Sequence, residues 1–212
     1  MKALILALAL GTALVTSAQA ADVYRGSTKD GPDTDIPDSP LLFVGLGVGI
    51  HGGGQFTNID LYDEFDGIGA DGLVGGLHGE YLFAVGRFRV GPYVEGGFSN
   101  VNTEYGGADL LTQDTYFGGG LKAGAVLGTA FLYGRIGYEW SQWSSDFFSG
   151  DIDVDGFLIG GGVEAMIARN ISIGLDAAYL IPSNVEVDGF DVTDAVEESE
   201  TLRILARITY RQ

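Results

Sequence analysis

The sequence predicts an all-β chain, an eight-stranded antiparallel up-and-down transmembrane β-barrel, and three observations carry that prediction. From Leu42 onward, short runs alternate residue character with period two, as half-exposed strands do. Short and long connections between those runs alternate strictly, which is the pattern of a meander. Charge is confined to one face of the runs, and the other face is apolar.

The segment that precedes the runs has a different character. MKALILALALGTALVTSAQA places Lys2 before an apolar stretch and ends on Ala18-Gln19-Ala20, so residues 1–20 read as a secretory signal peptide. Residues 21–40 hold prolines and acids without apolar periodicity and read as a flexible polar leader. Residues 41–212 are then long enough for one domain. The chain has no cysteine, so its stability does not come from disulfides. A net charge of −18 argues against nucleic acid as a partner. With 46% apolar residues, the 35 glycines do not signal disorder. They suit strands that need small residues where backbones or long side chains crowd.

The strands follow in order. LFVGLGVGI (42–50) sets Leu42, Val44, Leu46, Val48 and Ile50 opposite Phe43 and glycines. DGLVGGLHGEYLF (71–83) sets Leu73, Leu77, Tyr81 and Phe83 opposite His78 and Glu80. RFRVGPYVEGGF (87–98) sets Phe88, Val90, Val94 and Phe98 opposite Arg87, Arg89, Tyr93 and Glu95, with Pro92 suggesting a local bulge. YFGGGLKAGAVL (116–127) opposes Phe117 and Leu121 to Lys122. LYGRIGYEWS (132–141) opposes Leu132, Ile136 and Trp140 to Tyr133, Arg135 and Glu139. FLIGGGVEAMIARNISIGLDAAYLI (157–181) is two strands, apolar at odd positions, with Glu164 and Asp176 on the even face. TLRILARITYR (201–211) turns Arg203, Arg207 and Arg211 away from Leu202, Ile204, Ile208 and Tyr210.

Parity tests the turns. Strands two and three switch parity, which demands an even turn, and pairing Phe83 with Phe88 leaves Ala84-Val85-Gly86-Arg87. Pairing Leu127 with Leu132 leaves GTAF, which sets Gly124 opposite Arg135 and Gly120 opposite Glu139. Strands six and seven share parity, and the odd loop Ala168-Arg169-Asn170 puts Asn where a left-handed residue is wanted.

The charged face must point inward and the apolar face toward lipid, because an ion facing hydrocarbon costs ~2–4 kcal/mol at the midplane. Each run is about the ten residues a tilted strand needs to cross a bilayer core. Outward aromatics mark both interfaces: Phe98, Phe117, Trp140, Phe157 and Tyr179 near the long loops, and Tyr81, Phe83, Phe88 and Tyr210 near the short turns. Both termini fall on the turn side, which is periplasmic if the long loops are extracellular.

At this point the chain resembles the small eight-stranded outer-membrane barrels of the opacity-protein and surface-antigen type, which are porin-like. The resemblance rests on FVGLGVGI after a polar leader, on the alternating loop lengths and on LRILARITYR with Tyr210, and it covers residues 41–212. It implies an outer-membrane location.

The inward set is Glu80, Arg87, Arg89, Glu95, Lys122, Arg135, Glu139, Glu164, Asp176, Arg203, Arg207 and Arg211. It either lines a channel or packs as a salt-bridged core, and an eight-stranded interior is just wide enough to be filled. Of the remaining acids, five lie in the leader and 19 in four long loops without Lys or Arg, where they keep the loops solvated or bind divalent cations that bridge to lipopolysaccharide. DIDVDG places Asp151, Asp153 and Asp155 as in the first half of a calcium loop, but the twelfth position is Gly162 and the site is incomplete. A lipid-modifying enzyme would need a His-activated nucleophile near the rim. Of the two histidines, His78 points inward and His51 lies at the outer end of strand one. The glycine clusters do not open helices and are not phosphate loops.

The sequence thus reads as a non-enzymatic, monomeric outer-membrane barrel with a charged packed interior and acidic extracellular loops, structural or surface-recognising in role. No cofactor is implied beyond a weakly held divalent cation at those loops, and lipid and lipopolysaccharide are the expected partners. The alternatives are a narrow channel for small solutes and, third, a lipid-modifying barrel enzyme.

Overall fold

The computed structural model describes residues 42–61, 65–105, 108–145, 152–187, 190–191 and 198–212; the expected signal peptide and leader lie outside these. The chain forms β1 (Gly45–Leu61), β2 (Phe65–Val85), β3 (Phe88–Tyr105), β4 (Ala108–Leu127), β5 (Ala130–Ser144), β6 (Ile152–Ala168), β7 (Ile171–Val187), the two-residue β8 (Phe190–Asp191) and β9 (Glu198–Arg211). Each long strand pairs antiparallel with its sequence neighbour, β9 returns to β7 and β1, and the sheet closes. The result is an eight-stranded up-and-down barrel, with β8 a short flap on β7.

The face assignment follows the period-two pattern. Phe98 is 75% exposed on the outside and Leu73 69%, with Ile136, Phe157 and Ile159 in the same belt. Tyr81 packs on Phe83 at 4.8 Å near the turns, and Tyr138 edges onto Trp140 at 4.9 Å and Phe157 at 5.1 Å at the other end. Tyr179 stands on the outer face opposite Ile159 and is half-buried there.

Five differences from the sequence reading have physical causes. The strands run on well past ten residues, β2 to 21, because the backbone ladder continues beyond the apolar belt, as in Phe65–Ala70 against β1, so much of each expected long loop is strand. The first two hairpins close on two residues, Gly86-Arg87 and Gly128-Thr129. In each the glycine takes a positive φ, +63° and +62°, as a tight hairpin wants at its first turn position. The registers therefore sit two residues from the expected ones: Phe83 opposes Val90, Lys122 opposes Arg135 and Gly118 opposes Glu139. Parity alone cannot separate a two-residue from a four-residue turn. In the third hairpin the expected register holds up the strands, with Val163 opposite Leu175, but the ladder shifts at Ile167, so Ala168 opposes Ile171 and the turn is Arg169-Asn170 rather than three residues. Asn170 is not left-handed, and its amide donates to the Arg211 carbonyl at 2.7 Å.

Pro92 sits without a bulge. It pairs with Leu121 on β4, while the β2 ladder lapses between Glu80 and Phe83 and resumes in the same register. The fifth difference is at the entry. Leu42 and Phe43 do not begin strand one but turn into the barrel end, where Phe43 takes φ +63°. There they pack with Leu82, Phe131 and Met166 as an apolar floor.

Candidate functional site

Inward-facing residues of every barrel strand build the interior upward from that floor. Arg89 spans it, donating from Nε to the Leu42 carbonyl at 2.7 Å and from Nη1 to the carbonyls of Gly86 and Phe88 at 3.0 and 2.8 Å. Above lies a first ionic layer. Lys122 Nζ reaches Glu80 at 2.8 Å and Glu164 at 3.2 Å, and Arg211 bonds both of the same carboxylates. The ammonium also lies 3.8 Å from the centre of the Tyr133 ring.

The second layer is Arg135 between Glu95 at 2.7 Å and Asp176 at 2.6 Å, with Arg207 on the same pair of acids. Tyr133 donates its hydroxyl to Asp176 at 2.9 Å. A third layer joins Arg203 to both oxygens of Glu139 at 2.7 Å and to Gln55 Oε1, and the Gln55 amide donates on to Gln113 at 2.5 Å. The bidentate geometry is the one that makes Arg rather than Lys the residue for such pairs. An apolar cluster of Val74, Val101, Trp143, Ile152 and Leu205 runs from Leu205, between Arg203 and Arg207 on β9, toward Ile152 at the loop end of β6.

Eleven of the twelve expected interior charges are therefore brought together, none more than 4% exposed. Arg87 is the exception and the inward assignment is corrected. It occupies the second turn position and projects outward, with its guanidinium 5.2 Å from the Phe88 ring. His51 is also displaced from the expected rim. Because β1 continues to Leu61, His51 lies mid-strand and is buried, sharing hydrogen bonds with His78 at 3.4 Å and the Tyr116 hydroxyl at 2.5 Å.

The calcium-loop reading does not fit the backbone. Asp151 lies outside the described residues, and Asp153 and Asp155 stand in β6, where an extended chain cannot curl its oxygens around one ion. Among the described residues no group of three His, Asp or Glu side chains could hold a metal. Of the loop acids, Asp71, Asp114 and Asp153 are exposed and Glu186 half-exposed; most of the others fall outside the described side chains.

Sequence reasoning missed the uncharged members of the core: Gln55, Gln113, Ser172 and Tyr116. Ser172, for instance, donates to Glu164 at 2.5 Å. Ser172 and Tyr116 share the parity of Asp176 and Lys122 on their strands, which is a signal in the sequence; Gln113 has the opposite parity to Lys122 because the ladder shifts at Asp114, and the strand of Gln55 carries no interior charge. Glycines make room for the long side chains. A methyl at Gly137 would meet the Tyr93 hydroxyl at 2.5 Å, and one at Gly162 the Tyr133 hydroxyl at 2.7 Å.

A closed eight-stranded antiparallel barrel, apolar outside and charged within, is the fold of the small outer-membrane barrels. Among solved structures the chain is similar to Neisserial surface protein A, at 12% identity and a TM-score of 0.51, over 79% of this chain and 97% of that one. It also matches the outer membrane protein OprG from Pseudomonas aeruginosa, at 14% identity and TM-score 0.47, over 80% and 96%. A third match is Ail, the attachment invasion locus protein of Yersinia pestis, at 15% identity and TM-score 0.44, over 80% and 100%. No protein-family profile matches the sequence, and no curated protein matches it. At such identity the likeness to the Neisserial protein is one of fold.

Proposed function

We propose that this chain is a monomeric outer-membrane barrel with a closed lumen, non-enzymatic, whose role is structural or one of recognition at the cell surface. The turn end and both termini face the periplasm in this reading, and the loop end faces out, with lipid and lipopolysaccharide around the belt. One observation carries it: eleven interior charges, none more than 4% exposed, ten of them bonded to one another in stacked layers and Arg89 to backbone carbonyls at the floor. Charges lining a water path would be wet, whereas an eight-stranded interior is narrow enough for side chains to fill. The apolar belt supports a lipid environment, because a water-soluble barrel would turn that face inward. The two histidines lie in the plug beside Tyr116 and Thr209 hydroxyls, away from the rim where a lipid-directed nucleophile would work.

Conductance tests this directly. Purified protein in planar bilayers is expected to give no stable current steps. Reproducible steps that Arg203→Ala or Glu164→Ala altered would overturn the closed lumen in favour of a narrow channel.

A further inference from the structure

Near the loop-side aromatic belt the outer wall is not smooth. The β4 and β5 ladder shifts register at Asp114, and the β6 and β7 ladder shifts at Ser183. Bulges bend a strand and increase its twist. Between these two, the outward face of β4 to β7 is hollowed into a groove of about 490 Å³. That volume is in the ~300–1,000 Å³ range of small-molecule sites.

The floor is aromatic: Phe117 and Trp140 stack at 6.4 Å and are 58% and 50% exposed. The rim is acidic: Asp153, Asp155 and Glu186 line the groove. Two of these carboxylates are held in place, Asp155 by the Tyr138 hydroxyl at 2.7 Å and Glu186 by the Asn184 amide at 3.0 Å. Asp153 and Glu186 stand directly opposite each other on neighbouring strands, a like-charge pairing that disfavours the sheet. The sequence has no Lys or Arg between Arg135 and Arg169, or between Arg169 and Arg203, to neutralise them from β5, β6 or β7.

A positive charge at the rim relieves that repulsion, and an apolar chain covers the rings below it. We propose that this groove seats a cationic amphiphile, its ammonium head among Asp153, Asp155 and Glu186 and its alkyl chain along Phe117 and Trp140. The exposed Trp140 face adds a cation–π contact for a head group that lies over it. A bare divalent cation would leave the aromatic floor unused and wants six to eight oxygens. An anionic lipid phosphate would meet like charge. The proposal deepens the surface-recognition reading above and rests on it for the source of the ligand, but it does not depend on the closed lumen.

The chain has two tryptophans, and only Trp140 lines the groove, so intrinsic fluorescence reports on it. The full-length barrel in dodecyl maltoside micelles is titrated with dodecyltrimethylammonium. A saturable emission change is expected, absent in Trp140→Phe and at least tenfold weaker in affinity in the Asp153→Asn, Asp155→Asn, Glu186→Gln triple variant. Tetramethylammonium, the head alone, should also bind at least tenfold more weakly. All substitutions are at outward positions, and far-ultraviolet dichroism checks that each variant keeps its sheet. Equal affinity in the triple variant would mean surfactant partitioning only and would overturn the site. Millimolar calcium giving the same change and blocking the amphiphile would overturn it in favour of a metal. Either failure leaves the bilayer result on the lumen untouched, so the two readings fail separately.

Discussion

Arg211 Nη2 and the Glu164 carboxylate meet at 2.5 Å across the lumen, joining the end of β9 to β6, strands that share no ladder. Arg211 also bonds Glu80 on β2, so one guanidinium ties three walls together. Replacing it by methionine leaves Glu80 and Glu164 with Lys122 as the one remaining cation of that layer. Breaking a buried pair from one side costs about 3–5 kcal/mol, whereas neutralising both sides costs less. Arg211→Met should therefore lose that much in urea unfolding from micelles, and the Glu164→Gln, Arg211→Met variant, which keeps the 2.8 Å Lys122–Glu80 pair and balances the layer, should recover part of it. A single variant within about 1 kcal/mol of the parent would show that the layer does not hold the barrel together.

The glycine content makes a second prediction, because two glycines of the same hairpin differ in surroundings. A methyl at Gly120 would fall onto the Ile136 carbonyl oxygen and 2.5 Å from Gly137 Cα, both backbone and unable to swing away. At Gly134 the nearest atom is the Gly160 carbonyl oxygen at 3.7 Å, an ordinary contact. Gly120→Ala should cost ~1–3 kcal/mol, the usual range for overpacking. Gly134→Ala should stay within about 0.5 kcal/mol. Equal effects would mean that the wall relaxes around both.

Much of this was legible from residue parity. Glu80, Glu95, Lys122, Arg135, Glu139, Glu164, Asp176 and the three arginines of β9 share a face with their strands' small or polar residues, and that face is the interior. What parity cannot resolve is a slip of two, which preserves the face, so it does not separate a two-residue from a four-residue turn at Gly86 and Gly128 or take Arg87 out of the inward set. Where apolar alternation stops but pairing continues, the pattern also ends too early. By that pattern His51 falls at the rim and Asp153 and Asp155 fall in a loop, whereas all three stand within strands. Leu42 and Phe43 were illegible for another reason: the chain enters through a left-handed residue, and Phe is a residue type for which that conformation is an outlier.

The lipid-facing belt is tested by placing charge on it. Ile136 is 59% exposed on the outside of β5, one residue from the buried Arg135, so the same strand offers both faces for comparison. Ile136→Arg should destabilise the barrel by ~2–4 kcal/mol in liposomes if the position lies near the midplane. Ile136→Leu should be close to neutral. Reversible folding into liposomes with urea measures both. An arginine tolerated as well as the leucine would place Ile136 outside hydrocarbon.

Phe43 separates packing from backbone strain. Its ring is fully buried at the barrel floor, 5.3 Å from Phe131 and 5.2 Å from the Arg211 guanidinium, while its φ of +63° is one that glycine adopts without a Cβ penalty. Truncation to alanine removes the ring and keeps the penalty, so Phe43→Ala should cost about 3–5 kcal/mol. Phe43→Gly removes more of the side chain but relieves about 1 kcal/mol of left-handed strain, and it should be the more stable of the two. Glycine's extra freedom in the unfolded chain works against this order, so the inequality is a demanding one. Unfolding midpoints of the two variants in the same micelles decide it. Neither variant should conduct, because the ionic layers of Lys122, Arg135 and Arg203 stay intact above the gap. If Phe43→Gly proves weaker by more than the ~1 kcal/mol that glycine's unfolded-state freedom costs, the residue is not held left-handed in the folded barrel.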